Sequence, residues 1–401
     1  MNAARNEHRP FADTASRKRP FGFTLVELMV ALTIGLLLLA GVSAIFATSR
    51  STYTMEEGLG RIQESGRFAM EYLGQDIRTA GYLGCNSTAS AIVNNMATTN
   101  TDPYRLVPGT GGVMTGAPTN PLPPGGIKAF IYSGSTGNAR SDWTPNLPSE
   151  FFAASGEVQA GTDVLLVQRA TASDTVTAST TSNNLTADMV AATDSITITA
   201  NSAGAIAVSD ILVISDCLNA DIFTASSVAT AGSVTTIGHA AFNKVYKRST
   251  QGSAQVMKFT SRVYYVRPAA SSADEPALMR REISNGAAAT PPAAQEIAQG
   301  IEDMRLGFGV DMGSNTVEYG DAGMVNSGNG TVTYWNKITT VRIGLLLRTP
   351  TKVEQGASND SGKFSGGLEL VDGVLLSSVP DDNRQRQVYK STISVRGVRG
   401  S

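Results

Sequence analysis

The hydropathy of the chain changes character three times. Residues 1–22 are polar. From Phe23 to Ala47 the chain reads FTLVELMVALTIGLLLLAGVSAIFA, with Glu27 as its sole ionisable residue. At 1.5 Å rise per residue this segment is about 37 Å long as a helix, enough for a tilted membrane crossing. Past Ala47 the helical period persists but becomes one-sided. Leu59, Ile62, Gly66, Ala69, Leu73, Ile77 and Ala80 recur at three- and four-residue spacing, while Arg61, Glu64, Arg67 and Glu71 take other faces. No proline occurs between Pro20 and Pro103. The pattern predicts one long helix from Phe23 to about Ala80, roughly 87 Å in length. Gly81 is the expected stop, and the second half of the helix should lie against a globular head. Gly58, Gly60, Gly66 and Gly74 weaken that half, each by up to ~1 kcal/mol relative to Ala. Two helices broken near Gly58–Gly60 are therefore the alternative.

After Gly81 the pattern turns to short β-like runs between Gly, Pro, Asn and Ser clusters. Asp163–Arg169 reads as a buried strand. Further strands are expected at Asp210–Ser215, Gln255–Arg267, Ala277–Ile283, Ile301–Val310, Thr331–Arg348, Gly367–Leu376 and Arg386–Val398. In Thr339–Leu347, Val341, Ile343, Leu345 and Leu347 alternate with Thr340, Arg342 and Gly344, the signature of a strand with one apolar face. Thr101–Gly126 is rich in Pro and Gly and reads as loop. Thr171–Ala200 is low in charge and heavy in Ser and Thr, alternating only at Ser195–Thr199; it reads as edge structure or loop rather than core. The expected class is α+β: one long N-terminal helix packed on an antiparallel β-sheet head that carries a large β-rich insertion.

Composition narrows the chemistry. The 401 residues carry 32 basic and 34 acidic side chains, so no bulk positive charge marks the chain for nucleic acid. Two Cys and two His do not make the usual zinc sites. No Walker loop, dinucleotide fingerprint or zinc motif occurs. His239 has no obvious Ser–Asp companion and is expected to have a structural or surface role rather than a catalytic one. Asp381-Asp382-Asn383 and Asn359-Asp360 lack an EF-hand pattern and read as solvated turns rather than Ca²⁺ sites. Arg384, Arg386, Lys390, Arg396 and Arg399 read as a solvated strand face, with DNA or an acidic partner as the less favoured use. No enzyme activity, metal or cofactor is expected.

The N-terminus carries more information. Arg5, Arg9, Arg17, Lys18 and Arg19 face only Glu7 and Asp13. Basic residues before the apolar run and a polar chain after it predict the N-terminus inside and the C-terminus outside. A secretory signal peptide is the plain reading, but the run exceeds the ~7–15 residues of a typical apolar core. An ordinary signal anchor explains everything except Glu27, whose insertion costs on the order of 2.5–3.5 kcal/mol.

Arg19-Pro20-Phe21-Gly22-Phe23-Thr24-Leu25-Val26-Glu27-Leu28 resembles the class III signal of type IV prepilins. The resemblance implies cleavage by a prepilin peptidase between Gly22 and Phe23, methylation of the new N-terminus at Phe23, and a role for Glu27 in setting register during filament assembly. Gly22 has no Cβ, so its backbone can enter an enzyme cleft closely. A carboxylate held in apolar surroundings needs a partner, and the amine freed at Phe23 is the natural one. Cleavage there leaves 27 basic and 32 acidic residues and removes His8.

Gly81-Tyr82-Leu83-Gly84-Cys85-Asn86, Ser215-Asp216-Cys217, Ala220-Asp221-Ile222-Phe223, Glu302-Asp303-Met304-Arg305-Leu306, Gly309-Val310-Asp311, Trp335–Arg348 and Arg386–Val395 resemble the PilW family of minor pilins. That resemblance implies a low-abundance subunit that primes type IV pilus assembly, sits at or near the tip, and supports twitching or adhesion. Its implied partners are prepilin peptidase, other minor pilins, the major pilin, the inner membrane and a tip adhesin, with no small-molecule substrate. The head would be periplasmic before assembly and on the cell surface after it. The corresponding divisions are a leader at 1–22, a membrane and filament-core half-helix at 23–47, an amphipathic half at 48–80, and a head at 81–401 with a Ser/Thr-rich insertion at about 171–250. A minor pseudopilin of a type II secretion system shares the signal and helix and is the alternative. A pilus-tip adhesin or DNA-binding module is a third reading.

Cys85 and Cys217 fall on the exported side. An even count in an oxidising compartment favours a disulfide, with two free buried thiols as the alternative. The closed loop of about 133 residues would contribute up to roughly 4–5 kcal/mol by chain entropy.

Overall fold

The computed structural model describes residues 22–84, 92–94, 126–134, 137–171, 184–199, 206–216, 218–242, 244–248, 254–271, 274–286, 291–314, 316–327, 334–350, 352, 368–371, 374–376, 382 and 384–395. Two compact units part between Thr54 and Met55. Helix α1 runs without a break through Leu25–Arg78, 54 residues. It starts two residues later than the hydropathy pattern suggests because Thr24 caps it. The Thr24 hydroxyl accepts a hydrogen bond from the Glu27 N–H at 3.2 Å, satisfying one of the orphan donors of the first turn. It ends where expected. Gly81 takes φ +70°, and its N–H leaves the helix to meet the Gln168 carbonyl at 2.9 Å.

In the first unit the helix buries no side chain. The hydroxyls of Thr33 and Thr48 donate to the carbonyls of Val30 (2.9 Å) and Ala44 (3.0 Å). Such back-bonding satisfies these hydroxyl protons within the helix itself.

The second unit holds the rest of α1 and the strands β1 (Ile92–Asn94), β2 (Ile127–Tyr132), β3 (Trp143–Thr144), β4 (Val164–Thr171), β5 (Ile196–Thr199), β6 (Ile211–Ser215), β7 (Ala220–Thr224), β8 (Ser227–Ala231) and β9 (Val234–Gly238). There follow β10 (Gln255–Arg267), β11 (Ala277–Ile283), β12 (Gln295–Gln299), β13 (Ile301–Gly313), β14 (Thr316–Gly320), a short helix α2 (Ala322–Ser327), β15 (Ile338–Arg348), β16 (Leu368–Val371), β17 (Val374–Leu376) and β18 (Arg386–Ser394).

These strands form two principal sheets, where the sequence suggested one. A nine-stranded sheet has the order β1-β7-β6-β10-β4-β2-β3, with β11 and then β12 continuing from β10. Its pairs are antiparallel except β1–β7, which is parallel. A four-stranded antiparallel sheet has the order β14-β13-β15-β18. Two small sheets, β5-β9-β8 and β16-β17, complete the set.

The main core joins α1, the nine-stranded sheet and the four-stranded sheet. A second core lies on the opposite face of β6, β7 and β10, which explains the unbroken apolar run of β6. Ile211 and Val213 face the first core, and Leu212 and Ile214 the second. A strand buried on both faces has no polar side to show. The second core also takes Leu185, Met189, Ile196 and Ile198. This corrects the reading of the Ser/Thr-rich stretch as edge structure or loop rather than core: β5 is an edge strand of its small sheet, yet these four side chains are core residues, while Thr197 and Thr199 are half-buried and Val190 is exposed.

Candidate functional site

The predicted processing residues sit at the start of α1. Gly22 and Phe23 lie before the helix, outside any regular element, and are exposed, Phe23 by 81%. The Gly22–Phe23 bond therefore lies outside the helix, directly before its capped first turn. Thr24 was not singled out by the sequence reading, yet the Thr24-Leu25-Val26-Glu27 spacing is that of a helix-capping pair and could have identified it. Glu27 is exposed and lies in the first turn, where the helix dipole favours an acid. Among the described residues it forms no ion pair. Beyond it, Leu25 to Phe46 present exposed apolar side chains, and the helix is long and apolar enough to cross a membrane.

The other end of α1 is built for docking. Gly58, Ile62, Gly66, Ala69, Leu73, Gly74, Asp76 and Ile77 are buried. Two of the glycines read as weak points, Gly58 and Gly66, are close-approach positions, while Gly74 has room for a Cβ at ordinary contact distance. A Cβ at Gly66 would lie 2.6 Å from the Tyr389 ring, one at Gly58 3.0 Å from Thr349, and one at Gly74 3.6 Å from Ile393. These partners belong to β18 or follow β15, so the missing side chains let the four-stranded sheet reach the helix. Gly60 faces open space.

Asp76 fixes the helix to the nine-stranded sheet. It is 3% exposed and meets Arg262 Nη1 at 2.9 Å and Arg169 Nη2 at 3.1 Å. The Tyr264 hydroxyl donates to it as well. Arg262 Nε is 2.6 Å from Glu282, and Arg169 also donates to the Thr79 hydroxyl at 3.1 Å. Burial would lower the pKa of Arg262, but Asp76 and Glu282 outweigh it and hold the guanidinium above its ordinary value. Burial and the Asp76 charge keep Tyr264 protonated far above the usual tyrosine range. Asp76 is not singled out by the sequence pattern: of its partners, Arg169 lies on β4, Arg262 and Tyr264 on β10 lie 186 and 188 residues away, and they leave no local signal.

The C-terminal basic group divides. Arg384 and Arg386 are buried, which corrects their reading as a solvated face. Arg386 pairs with Glu302 at 2.7 Å and Asp382 at 2.8 Å, and Arg384 donates to the Thr349 and Pro350 carbonyls. Asp382, read as part of a solvated turn, is thus tied into an ion-pair cluster. Lys390 is exposed as expected. Arg396, Arg399, Asp381, Asn383, Asn359 and Asp360 lie outside the described residues. His239 stacks on Phe242 at 3.7 Å with an interplanar angle of 7°, and its Nε2 lies 2.8 Å from the Asp194 carbonyl oxygen. It is a packing residue, as expected. Among the described residues no group of three or more His, Cys, Asp or Glu is placed to hold a metal ion. Cys85 and Cys217 both lie outside the described residues.

Comparison with known proteins matches two separate stretches of the chain. Residues 17–43 match the prokaryotic N-terminal methylation motif. Residues 263–397 match the type IV pilus-assembly protein W family, PilW, a stretch that takes in the four-stranded sheet. A type IV-like pilin from Thermus thermophilus aligns at 14% identity over 35% of this chain and 69% of its own, with a TM-score of 0.23. No curated protein matches the chain. The methylation motif supports a type IV pilin-like protein. The second match then supports a PilW-like type IV minor pilin.

Proposed function

We propose that the chain is a minor pilin that primes type IV pilus assembly from the inner membrane and ends at or near the pilus tip, supporting twitching or adhesion. The observation that carries this reading is the pairing of an exposed, capped processing site with an apolar half-helix that buries nothing. Prepilin peptidase cuts after Gly22 and methylates Phe23. The helix then anchors the subunit with its head on the periplasmic side until neighbouring pilins cover the apolar surface. In the uncut chain Phe23 has no free amine. Cleavage creates the cation that Glu27 lacks, within the subunit or on a neighbour, and so couples processing to register.

The PilW match favours this reading over a minor pseudopilin of a type II secretion system. Other minor pilins, the major pilin and a tip adhesin are the proposed partners. We also propose the Cys85–Cys217 disulfide. Gly84, next to Cys85, is so close to Ser215 that a Cβ on it would lie 3.2 Å from that side chain. On the far side Ile92 pairs with Ala220. Both flanks of the two cysteines are thus drawn together.

The test is mass spectrometry of the protein extracted from its native envelope, with identification of what cross-links to it. The expected result is an N-terminal methyl-phenylalanine at position 23 and co-purified pilins. An N-terminus elsewhere, or a cross-linked secretion apparatus without pilins, overturns the reading.

A further inference from the structure

Two buried carboxylates share one arginine where the principal sheets meet. Asp163 immediately precedes β4 of the nine-stranded sheet, and Asp303 and Arg305 lie on β13 of the four-stranded sheet. The backbone of Asp163 donates to the Met304 carbonyl at 2.9 Å. In return the Leu306 N–H donates to Asp163 Oδ2 at 3.0 Å. Arg305 Nη1 stands 3.7 Å from Asp163 Oδ1, and its Nε 3.2 Å from Asp303 Oδ1. A bulge between Ile301 and Asp303 interrupts the β13–β15 register here, and burial departs from strict alternation, with Asp303 and Met304 both buried.

The charges do not balance. Asp163 and Asp303 are 4% and 5% exposed, and the Oδ1 atom of each is buried without a hydrogen-bond donor. The charged groups that face the pair are Arg305 and Glu302 on β13. Glu302 is already held by Arg348 of β15 and Arg386 of β18. From β2 comes a backbone N–H, that of Tyr132, to Asp163. One guanidinium thus serves two carboxylates, and a buried charge without a partner is costly.

We propose that Asp163 and Asp303 form a proton-binding joint, in which a proton held at Asp163 is a structural ligand that keeps the two sheets docked and whose loss loosens them. The titration of the pair agrees. Burial pushes Asp163 up to about 7 against the pull of Arg305 and the Leu306 N–H. Burial likewise pushes Asp303 up to about 6. Interacting groups of this kind titrate as a pair. The folded chain therefore binds more protons than the unfolded chain between about pH 4 and about pH 7. The stabilisation is full below the unfolded carboxylate value and is lost as pH rises through about 7.

The experiment uses the full chain in detergent micelles, unfolded by urea between about pH 5 and about pH 8.5, the range that spans loss of the proton. The expected result is an unfolding midpoint that falls as pH rises, and an Asp163→Asn variant whose midpoint falls less steeply, by the part that Asp303 alone contributes. The Asn amide mimics the protonated acid and can still accept the Leu306 N–H. A wild-type midpoint that is flat or rising, or an unchanged slope in the variant, overturns the proposal. Should Asp163→Asn fail to fold, hydrogen–deuterium exchange of the wild type decides. Peptides covering 159–166 and 301–308 should lose protection above about pH 7 after correction for the intrinsic exchange rate, while the helix peptide 68–78 does not. Unchanged protection at the joint overturns the proposal.

Discussion

The two halves of α1 share one backbone and obey opposite rules. Between Leu25 and Phe46 apolar side chains cover the helix and none is buried. Between Gly58 and Ile77 the side chains turned to the core are small or aliphatic, with one buried carboxylate among them. The first half is specified by what it lacks, charge, and any apolar surroundings satisfy it. The second is specified by fit: it needs Gly66 under Tyr389 and Asp76 between two arginines. A membrane or a filament core can receive the first half with little side-chain complementarity, whereas only this head can receive the second.

The comparison breaks most sharply at the processing site. Gly22→Val should abolish cleavage, leaving the full-length mass in the envelope; a shorter product ending at the same bond would refute the cut-site assignment. Glu27→Val comes next. It should still be cleaved and methylated, because the Gly22–Phe23 bond is untouched, but its recovery in sheared pili should fall at least about tenfold, the minimum expected for a lost buried charge pair. Normal recovery would remove the register role.

In the packed half the largest expected effect is at Asp76. Asp76→Ala leaves Arg169 and Arg262 buried without their shared carboxylate, and should destabilise the head by about 3–5 kcal/mol in urea unfolding. A loss below about 1 kcal/mol, the worth of an exposed pair, would mean that the network is spectator. A disulfide between Cys85 and Cys217 predicts no alkylation of the exported folded protein without reductant; two labelled thiols would disprove it.

The smallest effects separate the glycines. Gly66→Ala should cost about 1–3 kcal/mol through overpacking against Tyr389. Gly60→Ala, facing solvent, should gain up to about 1 kcal/mol from helix propensity. Equal effects at the two positions would show that the sheet yields and that close approach is not what Gly66 supplies.

The long helix, its stop at Gly81 and the processing signal were all legible in the chain because each is local. A peptidase reads a few consecutive residues, and an apolar helix needs no partner to declare its period. Strands such as Gln255–Arg267 and Ala277–Ile283 were legible for the same reason, through runs of branched and aromatic residues bounded by turn formers. The division into two sheets was not. Neither was the core role of Leu185, Met189, Ile196 and Ile198, whose Ser/Thr-rich surroundings mask a few well-placed apolar side chains.

By itself the sequence determined that a methylation motif opens the chain, which segment is apolar, and that one helix runs on from it to a stop at Gly81. Only the tertiary structure decided that glycines of α1 admit a sheet, that Arg386 is buried rather than solvated, and that Asp76 is the anchor. It also brought Asp163 within reach of a residue 143 positions away. The physical reason is range. Helix propensity, hydropathy and enzyme recognition act over a few residues, whereas burial and ion pairing depend on which distant strands meet, and no local pattern records that.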